Sequence, residues 1–176
     1  GHRLIYCGTF SKVLFPGIRV GWAAAHPECI RRLAALRRYG ELAPPGLLQA
    51  ALARFCSEGW YEKHISMMHR VYRKRMQTAL AALERFVSPE WASWTKPAGG
   101  YLIWLSMAPH SPVDWEKVFA SEGVAVASGR SFFSSDPAGT FFRLSISSLN
   151  EAEIEEGIRR LARAFHKVYD RKGIVK

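Results

Sequence analysis

Cysteine is scarce in this chain and poorly placed for chemistry. Cys7, Cys29 and Cys56 are odd in number and widely spaced, with no C-x-x-C pair. That excludes the usual zinc ribbons and disulfide frameworks. The three read as buried or half-buried free thiols, since no neighbouring base is nominated to activate one. No metal-ligand spacing stands out. No apolar run approaches the roughly 20 residues of a membrane span. The N-terminus lacks the basic start, apolar stretch and small-residue cleavage site of a signal peptide. The expectation is a cytoplasmic protein with no membrane partner. Repeats and low-complexity segments are missing. So is any G-x-x-x-x-G-K-[ST], which excludes a P-loop. Aspartate is rare too: Asp114, Asp136 and Asp170 are all there are.

What remains is enough to fold. The chain has 176 residues, 48% hydrophobic and 23% charged, which suits one domain or one and a half. The net charge is +10, a balance that suits anionic partners. The basic residues are dispersed over three helical segments, however. They include Arg31, Arg32, Arg37 and Arg38, then Arg70, Arg73, Lys74 and Arg75, then Arg159, Arg160 and Arg163. Solvated helix faces account for most of them. There is no aromatic-basic ribonucleoprotein motif and no helix-turn-helix.

Along the chain, Arg3–Phe10 reads as a strand. Its continuous run Leu4-Ile5-Tyr6-Cys7 suits burial on both faces in a parallel sheet. Ile18–Ala25 reads as a second strand, and Pro27 opens a helix. "ELAPPG" at Glu41–Gly46 ends it. A short helix spans Leu47–Ser57. A long one spans about Tyr61–Arg85, with Ile65, Met68, Tyr72, Met76, Leu80 and Leu83 on one stripe. After Pro89 come a strand in "GGYLIWLSM", a helix over Val113–Ser121, a short strand in "GVAVASG" and a strand in "TFFRLSIS". Asn150 caps the last helix, with Glu153 completing a capping box. Ile154, Ile158, Leu161 and Phe165 form its apolar stripe.

The segment "GTFSKVLFPGIR" at Gly8–Arg19 concentrates chemistry. Lys12 follows an apolar strand and precedes a Pro-Gly turn. A partly desolvated lysine there would be a nucleophilic amine suited to Schiff-base formation. Thr9 and Ser11 offer hydroxyls and Arg19 a planar fork of donors, both suited to phosphate. An aldehyde carrying a phosphate matches the set, and pyridoxal 5′-phosphate is such a molecule. An ordinary strand-to-loop turn with a solvated lysine accounts for the same residues. Arg143 stands in the middle of an apolar strand, where burial is costly unless an anion meets it. A structural ion pair is the alternative.

"YCGTFSKVLFPGIRVGW" (Tyr6–Trp22) resembles the cofactor-lysine segment of class I/II aminotransferases, the fold-type-I pyridoxal-phosphate enzymes. "KPAGGYLIWL" (Lys96–Leu105) resembles that family's small-domain P-x-G-G-x-x-x-W strand. "FFRLSIS" (Phe141–Ser147) resembles its substrate-carboxylate strand. The resemblance implies an α/β chain in three parts. Residues 1–45 would end the large parallel-sheet domain, 46–85 would be connecting helices, and 86–176 a small α+β domain. It also implies pyridoxal 5′-phosphate in a Schiff base with Lys12, phosphate contacts from Thr9, Ser11 and Arg19, and an α-carboxylate contact from Arg143. Amino acids and 2-oxo acids would be the substrates of an aromatic, kynurenine-like or 2-aminoadipate-like transamination. A homodimer is implied as well.

The family's ring-nitrogen aspartate, ring-stacking aromatic and glycine-rich phosphate turn precede its lysine. No counterpart fits before Lys12. The chain is therefore expected to be the C-terminal part of a longer protein, binding the cofactor poorly and not transaminating by itself. A second expectation competes. "EGWYEKHISMMHRVYRKRM" (Glu58–Met76) resembles the connecting helix of GntR/MocR-type transcriptional regulators. In those, an aminotransferase-like domain follows a winged helix that carries the DNA contact. A purely structural, dimerising role is the third possibility.

Overall fold

A computed structural model describes residues 4–40, 45–108 and 113–170. The chain divides into two units, Gly1–Met67 and Met68–Lys176. In the first, β1 (Ile5–Thr9) and β2 (Gly21–Ala25) form an antiparallel pair, in register from Ile5↔Ala25 to Thr9↔Gly21. α1 (Pro27–Gly40) and α2 (Gly46–Ser57) follow. α3 (Trp60–Phe86) begins in this unit and runs on through the second. Pro27 opens α1 as its ring geometry favours. Of the "ELAPPG" break, Glu41–Pro44 lie outside the described residues, as does Arg3 at the start of the expected first strand.

The expectation that β1 is buried on both faces is not met. Leu4, Ile5, Tyr6 and Cys7 are all exposed. The cause is the pairing: among the described residues each strand has one hydrogen-bonded neighbour, itself antiparallel. Two strands alone cannot shield both faces of a sheet. In this unit, among the described residues, only Ile18 and Leu52 are buried. Cys7, expected at least half-buried, is exposed, whereas Cys29 and Cys56 are half-buried.

The second unit holds the core. β3 (Ala92–Trp94), β4 (Leu102–Met107), β5 (Ala127–Ser128) and β6 (Phe141–Ser145) form an antiparallel sheet in the order β3-β4-β6-β5. α4 (Trp115–Ser121) and α5 (Glu151–Tyr169) complete it. Strand alternation sends Ile103, Leu105, Met107 and Phe142 to one face, all buried. With Met76, Ala79, Ala82 and Leu83 of α3, Trp115 and Phe119 of α4 and the α5 stripe they make one cluster. Trp91 stacks on Tyr169 with ring centroids 5.6 Å apart, and Phe119 meets Phe142 edge-on at 5.2 Å.

The expected α5 stripe of Ile154, Ile158, Leu161 and Phe165 is buried throughout. Its N-terminus is closed by a reciprocal capping box. The Glu153 N–H donates to Asn150 Oδ1 at 3.0 Å, and the Asn150 N–H donates to Glu153 Oε2 at 2.8 Å. Lys167 and Arg163 of α5 bond Glu122, just past α4, and hold its carboxyl below the usual carboxylate range. Phe165 has no exposed surface. Truncating it removes transfer energy and leaves a cavity. Phe165→Ala is expected to cost about 3–5 kcal/mol in a denaturant titration.

Two elements differ from their sequence reading. "GVAVASG" yields only the two-residue β5. β3, three residues long, is too short to leave a period-two pattern. Two glycines are required by the backbone. Gly100, at φ 84°, makes the left-handed turn into β4. Gly129 lies so close to β6 that an added Cβ would sit 2.6 Å from the Phe141 carbonyl oxygen.

Candidate functional site

Four of the five singled-out residues fall on one pinned loop in the first unit. β1 ends at Thr9 and β2 begins at Gly21, paired to each other. The loop between them is closed at its base. The Phe10 N–H donates to the Val20 carbonyl at 3.0 Å. The Thr9 hydroxyl donates to that carbonyl at 3.4 Å and accepts the Ser11 N–H at 3.1 Å. Thr9 and Ser11 therefore stand at one foot of the loop and Arg19 at the other. Lys12 lies within a tight turn in which the Phe10 carbonyl accepts from the Val13 and Leu14 N–H groups at 3.2 and 2.8 Å.

Lys12 is exposed, not partly desolvated as the sequence reading had it. It lies beyond the strand end, on the turn that follows β1. Arg19 is exposed too and caps a 3-10 turn, Pro16–Ile18, in the left-handed conformation at φ 47°. It is the only non-glycine residue with positive φ among the described residues. That conformation costs an L-residue about 1–2 kcal/mol, and such strain concentrates at functional positions. Among the described residues neither Lys12 nor Arg19 makes an ion pair, and the Ser11 hydroxyl makes no hydrogen bond. Arg19→Gly is expected to hold or raise the melting temperature, because glycine relieves the strain. The same change should weaken binding of a phosphate-bearing ligand, measured by calorimetry.

Arg143 belongs to the second unit. It lies on β6 opposite Trp104 of β4 and Ala127 of β5, on the face away from the core. It is half-buried, and its Nε is buried without a hydrogen-bond partner. Its guanidinium carbon stands 4.6 Å from the Phe132 ring centre. Trp104 touches Phe132, Phe133 and Phe141 at centroid distances of 5.7, 5.9 and 5.9 Å. An arginine with an unsatisfied donor against one ring of an aromatic cluster is suited to an anion attached to an apolar body. The structural ion pair weighed for Arg143 does not form among the described residues.

The sequence reading missed Phe132 and Phe133, although "RSFF" is dense in aromatics on a polar segment. It also missed His64, whose Nε2 lies 2.8 Å from the Val13 carbonyl. No group of three or more metal-ligating side chains gathers among the described residues. None of the described helices is long and apolar enough to cross a membrane.

The model of the family described as aminotransferase class I and II matches residues 1–161. The chain belongs to the class I and II aminotransferase family. Aromatic-amino-acid aminotransferase 1 of Thermococcus litoralis is 37% identical over 91% of this chain and 38% of its own length. The HTH-type transcriptional regulator TauR of Rhodobacter capsulatus is 38% identical over 93% of this chain and 34% of its own. Among solved structures, LysN is similar, the alpha-aminoadipate aminotransferase of Thermus thermophilus complexed with N-(5′-phosphopyridoxyl)-L-leucine. It superposes with a TM-score of 0.86 at 35% identity, covering 94% of this chain and 42% of that one. The fold is the C-terminal portion of a fold-type-I transferase. This aminotransferase-family chain spans between about a third and two fifths of the length of these relatives.

Proposed function

We propose that this chain supplies the lysine and the carboxylate-binding half of a pyridoxal-phosphate-dependent aminotransferase acting on amino acids and 2-oxo acids. The observation that carries the reading is the pinned loop. It presents an exposed amine, a free hydroxyl and a strained, unpaired arginine together. That donor set fits an aldehyde phosphate. Lys12 would hold the cofactor through its aldehyde carbon, an amine–aldehyde condensation that releases water, and once displaced by the substrate's amine it would move a proton at the substrate's Cα. Ser11 and Arg19 hold the phosphate. Thr9 joins them by giving up its long bond to Val20. Pyridoxal phosphate, when bound, supplies the electron sink for the bond broken at Cα. Arg143 grips the substrate's α-carboxylate, and the Phe132 ring against it, continued by the cluster of Trp104, Phe133 and Phe141, favours an aromatic or long apolar side chain. This matches the aromatic and aminoadipate activities of the relatives in kind. A soluble homodimer in the cytoplasm is part of the same proposal.

The likeness to TauR supports a second reading, in which the same residues sense a ligand for a regulator that contacts DNA through another domain. One experiment separates the two. The intact protein is incubated with pyridoxal phosphate, an aromatic amino acid or 2-aminoadipate, and 2-oxoglutarate, and glutamate formation is measured. Turnover supports the enzyme. Cofactor binding without turnover, together with a DNA mobility shift, supports the regulator.

A further inference from the structure

The Lys12 turn is held from outside by the first turns of α3. Tyr61 and His64 are three residues apart and therefore share one side of that helix. The Tyr61 ring meets the Phe10 ring edge-on, with centroids 5.8 Å apart and planes at 75°. His64 Nε2 lies 2.8 Å from the Val13 carbonyl oxygen. Phe10 and Val13 flank Lys12 on either side. Both are half-buried, whereas Lys12 is exposed. The flanks of the turn are fixed and its tip is free.

We propose that Tyr61 and His64 are positioning residues for Lys12, clasping the turn on both sides so that the amine is presented from a fixed backbone. A lysine reaches its partner on a flexible four-carbon stem, so a mobile backbone beneath it would add to the entropy lost at each encounter. The clasp removes that contribution. A carbonyl only accepts, so the Nε2 of His64 carries the proton. The neutral Nε2–H tautomer and the imidazolium both satisfy this. The proposal rests on the reading of Lys12 as the Schiff-base lysine.

The test uses the intact protein and four variants: His64→Leu, His64→Gln, Tyr61→Leu and Tyr61→Phe. Amide hydrogen exchange at Val13 and Leu14 reports the turn. Borohydride trapping of pyridoxal phosphate on Lys12, followed by peptide mass, reports its presentation. His64→Leu is expected to speed exchange and slow trapping by about tenfold each, the worth of one hydrogen bond, with the melting temperature nearly unchanged. Tyr61→Leu should act in the same direction. His64→Gln and Tyr61→Phe, which keep a donor and a ring, should restore both rates to within about threefold. Native exchange and trapping in both leucine variants overturn the clasp. If His64→Leu does not fold, the two Tyr61 variants decide it. No trapping on Lys12 in the unaltered protein sinks the Schiff-base reading instead, and amide exchange then still decides the clasp.

Discussion

Lys12→Ala in the intact protein is expected to abolish the visible absorbance of a Schiff base with pyridoxal phosphate. It should also lower turnover by at least roughly 10²–10⁴-fold, the worth of a positioned proton-transfer group. The loop geometry makes this an informative substitution. Lys12 is exposed and makes no ion pair among the described residues, so its removal breaks none of the packing or pairing described above. Melting temperature should therefore stay within the small range of surface substitutions. Lys12→Arg sharpens the reading, because it keeps the charge while the guanidinium forms no stable imine. Loss in both variants assigns the role to the amine itself. Retained absorbance in Lys12→Ala would move the chemistry to another lysine and leave Arg19 and Ser11 without a purpose.

The second large effect belongs to Arg143. Arg143→Leu is expected to raise KM for amino-acid substrates with a smaller change in kcat. Removing one partner of a desolvated charged pair typically costs about 2–5 kcal/mol, or roughly 30- to 4,000-fold in affinity. Stability should move the other way or not at all. The buried Nε has no partner among the described residues, so replacing the guanidinium by an apolar group relieves an unmet desolvation cost. Arg143→Lys should fall between the two, since an ammonium keeps the charge and loses the bidentate fork. An unchanged KM in Arg143→Leu would show that the carboxylate is held elsewhere.

Much of the second unit was readable from the chain alone, for reasons that are local. The α5 stripe and its capping box obey a 3.6-residue period and a three-residue offset, and both appear as expected. β4 and β6 announce themselves as apolar runs after turn residues. β5 was expected as a short strand in "GVAVASG" and forms over two residues only; β3 did not announce itself, because pairing with the longer β4, rather than any pattern of its own, makes it a strand. In the first unit the apolar run of β1 was legible, but its burial was not. Burial depends on what covers a strand, and the sequence of the strand does not contain that. The site followed the same division. Lys12, Ser11 and Arg19 are neighbours in sequence and could be grouped by chemistry. The ring of Phe132 on Arg143 and the clasp of Tyr61 and His64 join residues far apart along the chain, so only the fold reveals them.

The strand order of the second unit also governs how it assembles. β6, the strand that carries Arg143, is an interior strand bonded to β4 on one side and β5 on the other. The β4–β6 partnership closes across α4, β5 and the segment bearing Phe132. Loop-closure entropy is lost before such a pair is rewarded, and non-local pairing slows folding. α5, by contrast, rests on local signals, its own cap and its 3.6-residue periodicity, and closes no long loop. The rate-limiting step of this unit is therefore expected to be the meeting of β4 with β6. Arg143 is set in place at that step, and not by a later adjustment of loops.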